Sequence, residues 1–322
     1  MIKVINSLSI VIPVFNSAPI LKDLILRVKK SLDNLDCSYE VILVNDGSRD
    51  QSWPIIQELS KSFHWVRGIN LMRNYGQHNA LLCGIKAAKN EIIITMDDDL
   101  QNPPEEISKL ITKLFEGYDV VYGTPIRERH TLLRNFASKI TKFALQSTMG
   151  ATTARNVSAF RAFRTKIRDS FEHYHGPFVS IDVLLTWGTS RFTSILVDHE
   201  SRKVGKSNYT LKKLIIHALN MITGFSTLPL RFASLVGFVL TLFGFGILIY
   251  VIGRYFLLGG KVPGFSFLAS AISIFSGAQL FALGIIGEYL ARMHFRIMNK
   301  PSYAIRETVN FGGQQDNDRA PR

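Results

Sequence analysis

Short apolar runs alternate with amphipathic segments from Leu8 to Tyr122. Leu8 to Val14 is apolar and β-branched and closes on Pro13 and Asn16, which predicts a first strand. Leu21, Leu24, Ile25 and Val28 recur at helical spacing, so a helix follows. Glu40 to Val44 predicts a second strand, ended by the turn signal Asn45-Asp46-Gly47-Ser48. Asp50 or Ser52 is placed to cap the next helix, which runs to about Ser60. Val66 to Leu71 reads as a strand, Gly76 to Ala88 as a helix and Glu91 to Met96 as a strand. Glu105 to Phe115 then reads as a helix and Asp119 to Tyr122 as a further strand.

Strands alternating with helices imply an α/β domain, an open and mostly parallel sheet with helices on both faces. Such sheets bind ligands beyond the carboxyl ends of their strands. The polar punctuation falls at those ends: Asn16-Ser17, Asn45-Asp46-Gly47, Arg73-Asn74 and Asp97 to Gln101. Four stretches distant in sequence are thus expected to meet. No GxGxxG follows a strand and no GxxxxGK[ST] loop occurs, which disfavours a dinucleotide oxidoreductase and a P-loop ATPase.

The last third changes character. Phe232 to Gly253 and Val262 to Gly287 carry no charged residue. About 20 apolar residues cross a bilayer as a helix, so both runs qualify as a transmembrane hairpin. The competing reading is a buried hairpin in a soluble fold. Leu211, Leu214, Ile215, Ala218, Leu219 and Ile222 line one helix face, as in an interfacial helix lying on the bilayer or one packed on a core. Basic residues flank the outer ends of the hairpin, with only Arg254 and Lys261 between the spans. Positive-inside reasoning puts both termini in the cytoplasm. The resulting division is a catalytic domain (1–206), juxtamembrane helices (207–230), the hairpin (231–291) and a polar tail (292–322), disordered from Gly312.

The 322 residues carry a formal net charge of +13, which calls for an anionic partner such as a phosphorylated substrate or a lipid surface. Nucleic acid fits less well, since no nucleic-acid motif is present. Cys37 and Cys83 form neither a disulfide framework nor a CxxC metal site.

The chemistry centres on Asp97-Asp98-Asp99-Leu100-Gln101, where an apolar strand ends in three carboxylates followed by Pro103-Pro104. Adjacent acids repel, and a hard divalent cation that takes oxygen ligands and substrate phosphates is the natural partner. A solvated acidic turn is the plainer alternative. Arg127, Arg129, Arg134 and Lys139 follow, then Arg155, Arg161, Arg164, Lys166 and Arg168. Singly each fits a solvated helix face; as a set they could receive a phosphate. Arg202 to Tyr209 is a basic loop with Gly205 as hinge and Ser207 as hydroxyl, suited to a diphosphate or to anionic lipid. His78 sits early in a helix, where a structural histidine is the expectation.

These residues resemble the polyprenyl-phosphate glycosyltransferases of the GT-A type, which include dolichol-phosphate mannose synthase and bacterial undecaprenyl-phosphate sugar transferases. Ser9 to Asn16 is similar to the family's opening strand, Val44 to Ser48 to its second motif and Asp97 to Gln101 to its DxDLQ motif. Arg73 to His78 is especially like the bacterial aminoarabinose transferases, and Arg202 to Tyr209 is similar to the RxxGxSKY loop with Asn208 for lysine. Gly287 to Arg292 fits the bacterial branch.

The resemblance implies a GT-A Rossmann-like sheet, an interfacial helix and two transmembrane helices, in the inner membrane of a bacterium, assembled as a tetramer. It implies transfer of a sugar, UDP-linked in the bacterial branch, to polyprenyl phosphate with inversion. It places Mg²⁺ or Mn²⁺ on Asp97, Asp99 and Gln101, and the donor against Pro13, Phe15, Asp46, Asp97, Asp98, Arg202 and Ser207. Asp46 would read the base. Asp99 is expected to be essential, with the acceptor phosphate against Arg127, Arg134 and Ser138. Arg134 and Ser138, at i and i+4, would share a helix face. Two positions depart from the pattern: Ser17 stands where the family commonly has glutamate, and Ala159 where many relatives have an acid. A processive polysaccharide synthase is disfavoured by the absence of QxxRW and of further spans, and a sugar-nucleotide sensor rests only on Ser17 and Ala159.

Overall fold

A computed structural model describes residues 6–125, 156–176, 178–200, 227–258 and 264–311. The expected alternation forms in order: β1 (Ser7–Val14), α1 (Leu21–Leu32), β2 (Ser38–Asn45), α2 (Ser52–Ser62), β3 (Val66–Leu71), α3 (Gln77–Ala87), β4 (Ile92–Thr95), α4 (Ile107–Phe115) and β5 (Val120–Pro125). Gly76 does not join α3, because its φ of 95° lies outside helical space. The chain enters α4 through a tight 3₁₀ turn, Pro104–Glu106, rather than directly at Glu105.

The alternation pattern did not announce four elements: β6 (Arg161–Arg164), α5 (Ile181–Leu185), β7 (Phe192–Val197) and β8 (Ile305–Val309). β5 extends past Tyr122 because β7 pairs with it as far as Pro125, whereas β6 pairs with it only to Tyr122.

The strands form one sheet in the order β7-β5-β6-β4-β1-β2-β3-β8. β1, β2, β3 and β4 are mutually parallel; β6 and β8 run against their neighbours. The chain steps outward from β1 to β3 and then returns to place β4 on the other side of β1. That reversal opens a crevice beyond the ends of β1 and β4, the usual ligand position in open α/β sheets.

The sheet is apolar on both faces, as parallel strands covered on both sides must be. Leu8, Ile10, Ile12 and Val14 of β1 pack with α1, α2 and α4, while Val11 faces the layer containing α3 and α5. β4 divides likewise, with Ile92 and Ile94 on one face and Ile93 on the other. Leu21, Leu24, Ile25, Val28 and Leu32 supply the buried stripe of α1. Each such fully buried aliphatic side chain contributes roughly 1.5–3 kcal/mol.

Two long apolar helices follow, α6 (Leu228–Leu258) and α7 (Phe265–Ile297). Within them Pro229–Leu257 and Ile274–Phe295 are long and apolar enough to cross a membrane, and neither stretch is buried. Phe238, Phe243 and Leu280 are 61%, 62% and 70% exposed, which removes the reading of a hairpin inside a soluble core. Glu288, at the far end of α7, pairs with Arg292 at 2.6 Å, and Arg292 lies over the Phe178 ring of the sheet domain.

The stretch after α7 does not run on as a tail. Ser302 Oγ donates to the Gly176 carbonyl, Met72 N–H donates to the Ala304 carbonyl, and β8 then pairs antiparallel with β3. The predicted interfacial helix between 207 and 226, and the segment 312–322, lie outside the described residues.

Candidate active site

Four turns meet at the carboxyl edge of the sheet. The first leaves β1. Pro13 is buried and lies beyond the last residue that pairs with β4, so its missing N–H breaks no ladder bond on that side. Phe15 is 39% exposed on the rim. Asn16 takes φ of 55°, a left-handed conformation that asparagine tolerates. Its N–H donates to Ser48 Oγ at 3.0 Å, and its Oδ1 accepts from Arg49 N–H at 2.8 Å. Ser17 N–H donates to Ser52 Oγ, and Asp50 accepts from Ala18 N–H. The carboxylate of Asp50 also accepts from the N–H and hydroxyl of Ser52, at the start of α2. The β1 turn is thereby tied to the β2 turn.

The second turn holds the third. Asp46 is 2% exposed, and its two oxygens accept from Tyr75 N–H at 2.7 Å and Gly76 N–H at 2.9 Å. Burial pushes its carboxyl up, against the pull of those amides. Expected as the reader of the base, Asp46 is engaged in holding the backbone after β3. Gly47 has φ of +65°, and a Cβ there would stand 2.5 Å from Asn74 N. Only glycine fits on both counts. Arg73 lies over the Tyr75 ring at 4.5 Å.

The fourth turn carries the acids, and each is held differently. Asp97 Oδ1 accepts from Gln77 Nε2 at 2.5 Å. Asp98 turns back toward β1: its Oδ2 accepts from Phe15 N–H at 3.2 Å and from the Ser17 hydroxyl. Its carboxyl is pushed up to about 6 by burial, with Ser17 and Phe15 opposing and Asp99 adding a smaller upward push. Asp99, 7% exposed, accepts from Gln101 N–H at 3.1 Å. Leu100 between them is buried with φ of 59°, a conformation costing a leucine about 1–2 kcal/mol. Strain of this kind gathers where a turn must present particular groups.

Asp98, expected to contact the donor, thus spends an oxygen on the β1 turn. Among the described residues no three Asp, Glu, His or Cys side chains are arranged to hold an ion by themselves. Asp97 and Asp99 could offer a pair of hard oxygen ligands, with Gln101 beside them. That set suits an ion bound by one or two carboxylates and completed by substrate phosphates.

The chain after β7 is brought to this turn. Glu200 N–H donates to the Gln101 carbonyl at 2.9 Å. Arg27 bridges Glu105 and Glu200, each at 2.9 Å. The residues expected to close on the diphosphate and acceptor, Arg202, Ser207, Arg127, Arg134 and Ser138, lie outside the described residues.

Three members of the basic stretch are otherwise engaged. Arg161, 1% exposed, pairs with Asp182, and Tyr122 donates its hydroxyl to the same carboxylate at 3.2 Å. Arg164 approaches Asp119 at 3.5 Å. Arg168 donates to the carbonyls of Ile85, Lys86 and Ala88 at the end of α3. None of the three is a free phosphate receiver. Ala159 turns its carbonyl to the Thr95 hydroxyl at 2.7 Å, just before the acids. His78 Nδ1 accepts from Ile181 N–H at 3.4 Å, a structural contact between α3 and α5. Sequence reasoning gave Arg27 no part, and it included Gln77 only within the Arg73–His78 resemblance, with no role of its own.

Comparison with known proteins agrees with this architecture. The model of glycosyl transferase family 2 matches residues 9–171. An undecaprenyl-phosphate 4-deoxy-4-formamido-L-arabinose transferase of Enterobacter sp. (strain 638) is 34% identical over 315 residues, 97% of this chain and 96% of that protein. This chain belongs to glycosyl transferase family 2. Among solved structures, this glycosyltransferase shares its fold with glucosyl-3-phosphoglycerate synthase from Mycobacterium tuberculosis in complex with Mn²⁺, uridine diphosphate and glucosyl-3-phosphoglycerate. There the TM-score is 0.50 at 17% identity, covering 68% of this chain and 78% of the synthase. The same synthase with Mn²⁺ and UDP-glucose gives 0.50 at 16% identity, over 68% and 77% of the two chains.

Proposed function

We propose that this glycosyltransferase moves a sugar from a UDP-linked donor to the phosphate of undecaprenyl phosphate at a bacterial inner membrane. The observation that carries the reading is the reach of the Enterobacter match. It covers 97% of the chain and therefore includes both apolar helices as well as the family 2 domain. An enzyme whose acceptor is a lipid needs its catalytic edge beside a bilayer. The hairpin α6–α7 supplies the anchor, with the sheet domain and both termini on the cytoplasmic side. A tetramer is the assembly proposed from the family resemblance.

Asp97, Asp99 and Gln101 would hold Mg²⁺ or Mn²⁺; such an ion neutralises charge on the departing diphosphate. Gln77 orients Asp97, and the strained turn at Leu100 presents Asp99. Asp46 holds the Tyr75–Gly76 backbone, and Phe15 and Pro13 form the β1 side of the donor cleft. Arg202 and Ser207 would close over the diphosphate, while Arg127, Arg134 and Ser138 receive the acceptor phosphate.

A phosphate monoester has a second pKa of about 6, so the acceptor is largely dianionic at neutral pH. Its oxygen forms the new bond to the anomeric carbon as the bond to the nucleoside diphosphate breaks. No general base is required, which accommodates Ala159. Positioning and charge compensation then carry the rate. Backside attack inverts the anomeric carbon.

Membranes containing the protein, incubated with undecaprenyl phosphate and a panel of labelled nucleotide sugars, should yield a monoglycosylated lipid by mass spectrometry. EDTA should abolish the product, and excess Mg²⁺ or Mn²⁺ should restore it. Nucleotide binding without any glycolipid would reject the reading.

A further inference from the structure

Ser17, which departs from the family resemblance, touches Asp98, which stands in the variable place of its acidic motif. Ser17 occupies the place of the common glutamate; Asp98 occupies the free middle position of the DxDLQ motif. They lie 81 residues apart in sequence, yet the Ser17 hydroxyl donates to Asp98 Oδ2, which also accepts from Phe15 N–H. Ser17 Oγ also stands 3.2 Å from the Phe15 carbonyl, but its single proton goes to the charged acceptor, which binds it more strongly.

We propose that Asp98 is a positioning residue: its carboxylate clasps the β1 turn to the acidic turn, and that carboxylate can be carried from position 98 or from position 17, but not from both. On one side the β1 turn is already fastened to the β2 turn through Ser48, Asp50 and Ser52. The Asp98 contacts fasten its other side to the turn that carries Asp97 and Asp99. The clasp therefore sets the width of the cleft between the rim residue Phe15 and the turn that carries Asp97 and Asp99. A nucleoside diphosphate must span that cleft from base to phosphates. Ser17 is 8% exposed, so a second carboxylate there would be crowded against Asp98 with little water to screen it. With Asp98 shortened to alanine, a glutamate at position 17 has space where the Asp98 oxygens stood. The role as a donor clasp rests on the donor being a nucleoside diphosphate, as proposed above.

The test is a carboxylate swap in the full-length protein: Asp98→Ala, Asp98→Asn, Ser17→Glu and the double variant Ser17→Glu/Asp98→Ala. Two readouts are taken. Thermal melting needs no ligand and reports the clasp itself. Affinity for UDP in the presence of Mn²⁺ reports what the clasp does for the cleft. Asp98→Ala and Ser17→Glu should each melt lower and bind UDP about tenfold more weakly. Asp98→Asn, which keeps an acceptor oxygen, should stay within about threefold of the parent. The double variant should recover melting and return to within about threefold in affinity. A double variant as poor as the sum of its singles overturns the proposal. Recovery of melting without recovery of affinity also overturns it, because Asp98 would then serve the fold alone. A parent that binds UDP but forms no glycolipid counts against the lipid-acceptor reading and leaves the clasp standing.

Discussion

Asp99 and His78 both stand near the site, and their surroundings separate them. Asp99 lies on a strained turn with its neighbours fixed, whereas His78 accepts a backbone amide from α5. Replacing Asp99 with alanine should remove nearly all transfer, while His78→Ala should keep measurable turnover, both assayed on purified folded protein. Gly47→Ala combines a left-handed backbone with an overlap at Asn74, and should cost at least about 1–2 kcal/mol in stability by denaturant unfolding. The acidic turn was legible because an apolar strand ran straight into it. The direction of each acid was not. It depends on Ser17 and Gln77, which local pattern cannot bring to Asp98 and Asp97. The turn at Asp46 was legible in Asn45-Asp46-Gly47-Ser48, but its work on the Tyr75–Gly76 backbone depends on the neighbouring strand.

The elements that escaped the pattern share a cause. β6 reads Arg-Ala-Phe-Arg, which suggests a solvated basic face. It is buried because Asp182 on α5 neutralises Arg161, and that partner is 21 residues away. Breaking such a buried pair from one side typically costs about 3–5 kcal/mol. Asp182→Ala or Arg161→Ala should therefore lower the melting temperature sharply, and the double replacement Arg161→Met/Asp182→Leu should recover part of the loss. A double variant no better than the singles would show that the pair matters through something beyond its own charges. β8 escaped for a different reason: it follows a long apolar helix, where nothing local signals a return to the sheet. The regular βα units from β1 to β5 needed no such distant partner and were readable from periodicity alone.

At the scale of the whole molecule, β8 brings the chain back to the sheet after the two apolar helices. β8 covers the outer edge of β3, where Asn70 donates to Glu307 at 2.9 Å and also accepts from Asn45, the residue before Asp46. A chain ended after Ile297 would leave the β3 edge bare, and bare strand edges pair with other chains. That variant should elute as aggregate on size exclusion in detergent, whereas one ended after Phe311 should elute as the parent does. β8 also sets an order of events during synthesis. A ribosome releases it only after both apolar helices have been made, so the sheet stays one strand short until then. Each finished copy of this enzyme is thereby completed last at the β3 edge, after both apolar helices exist.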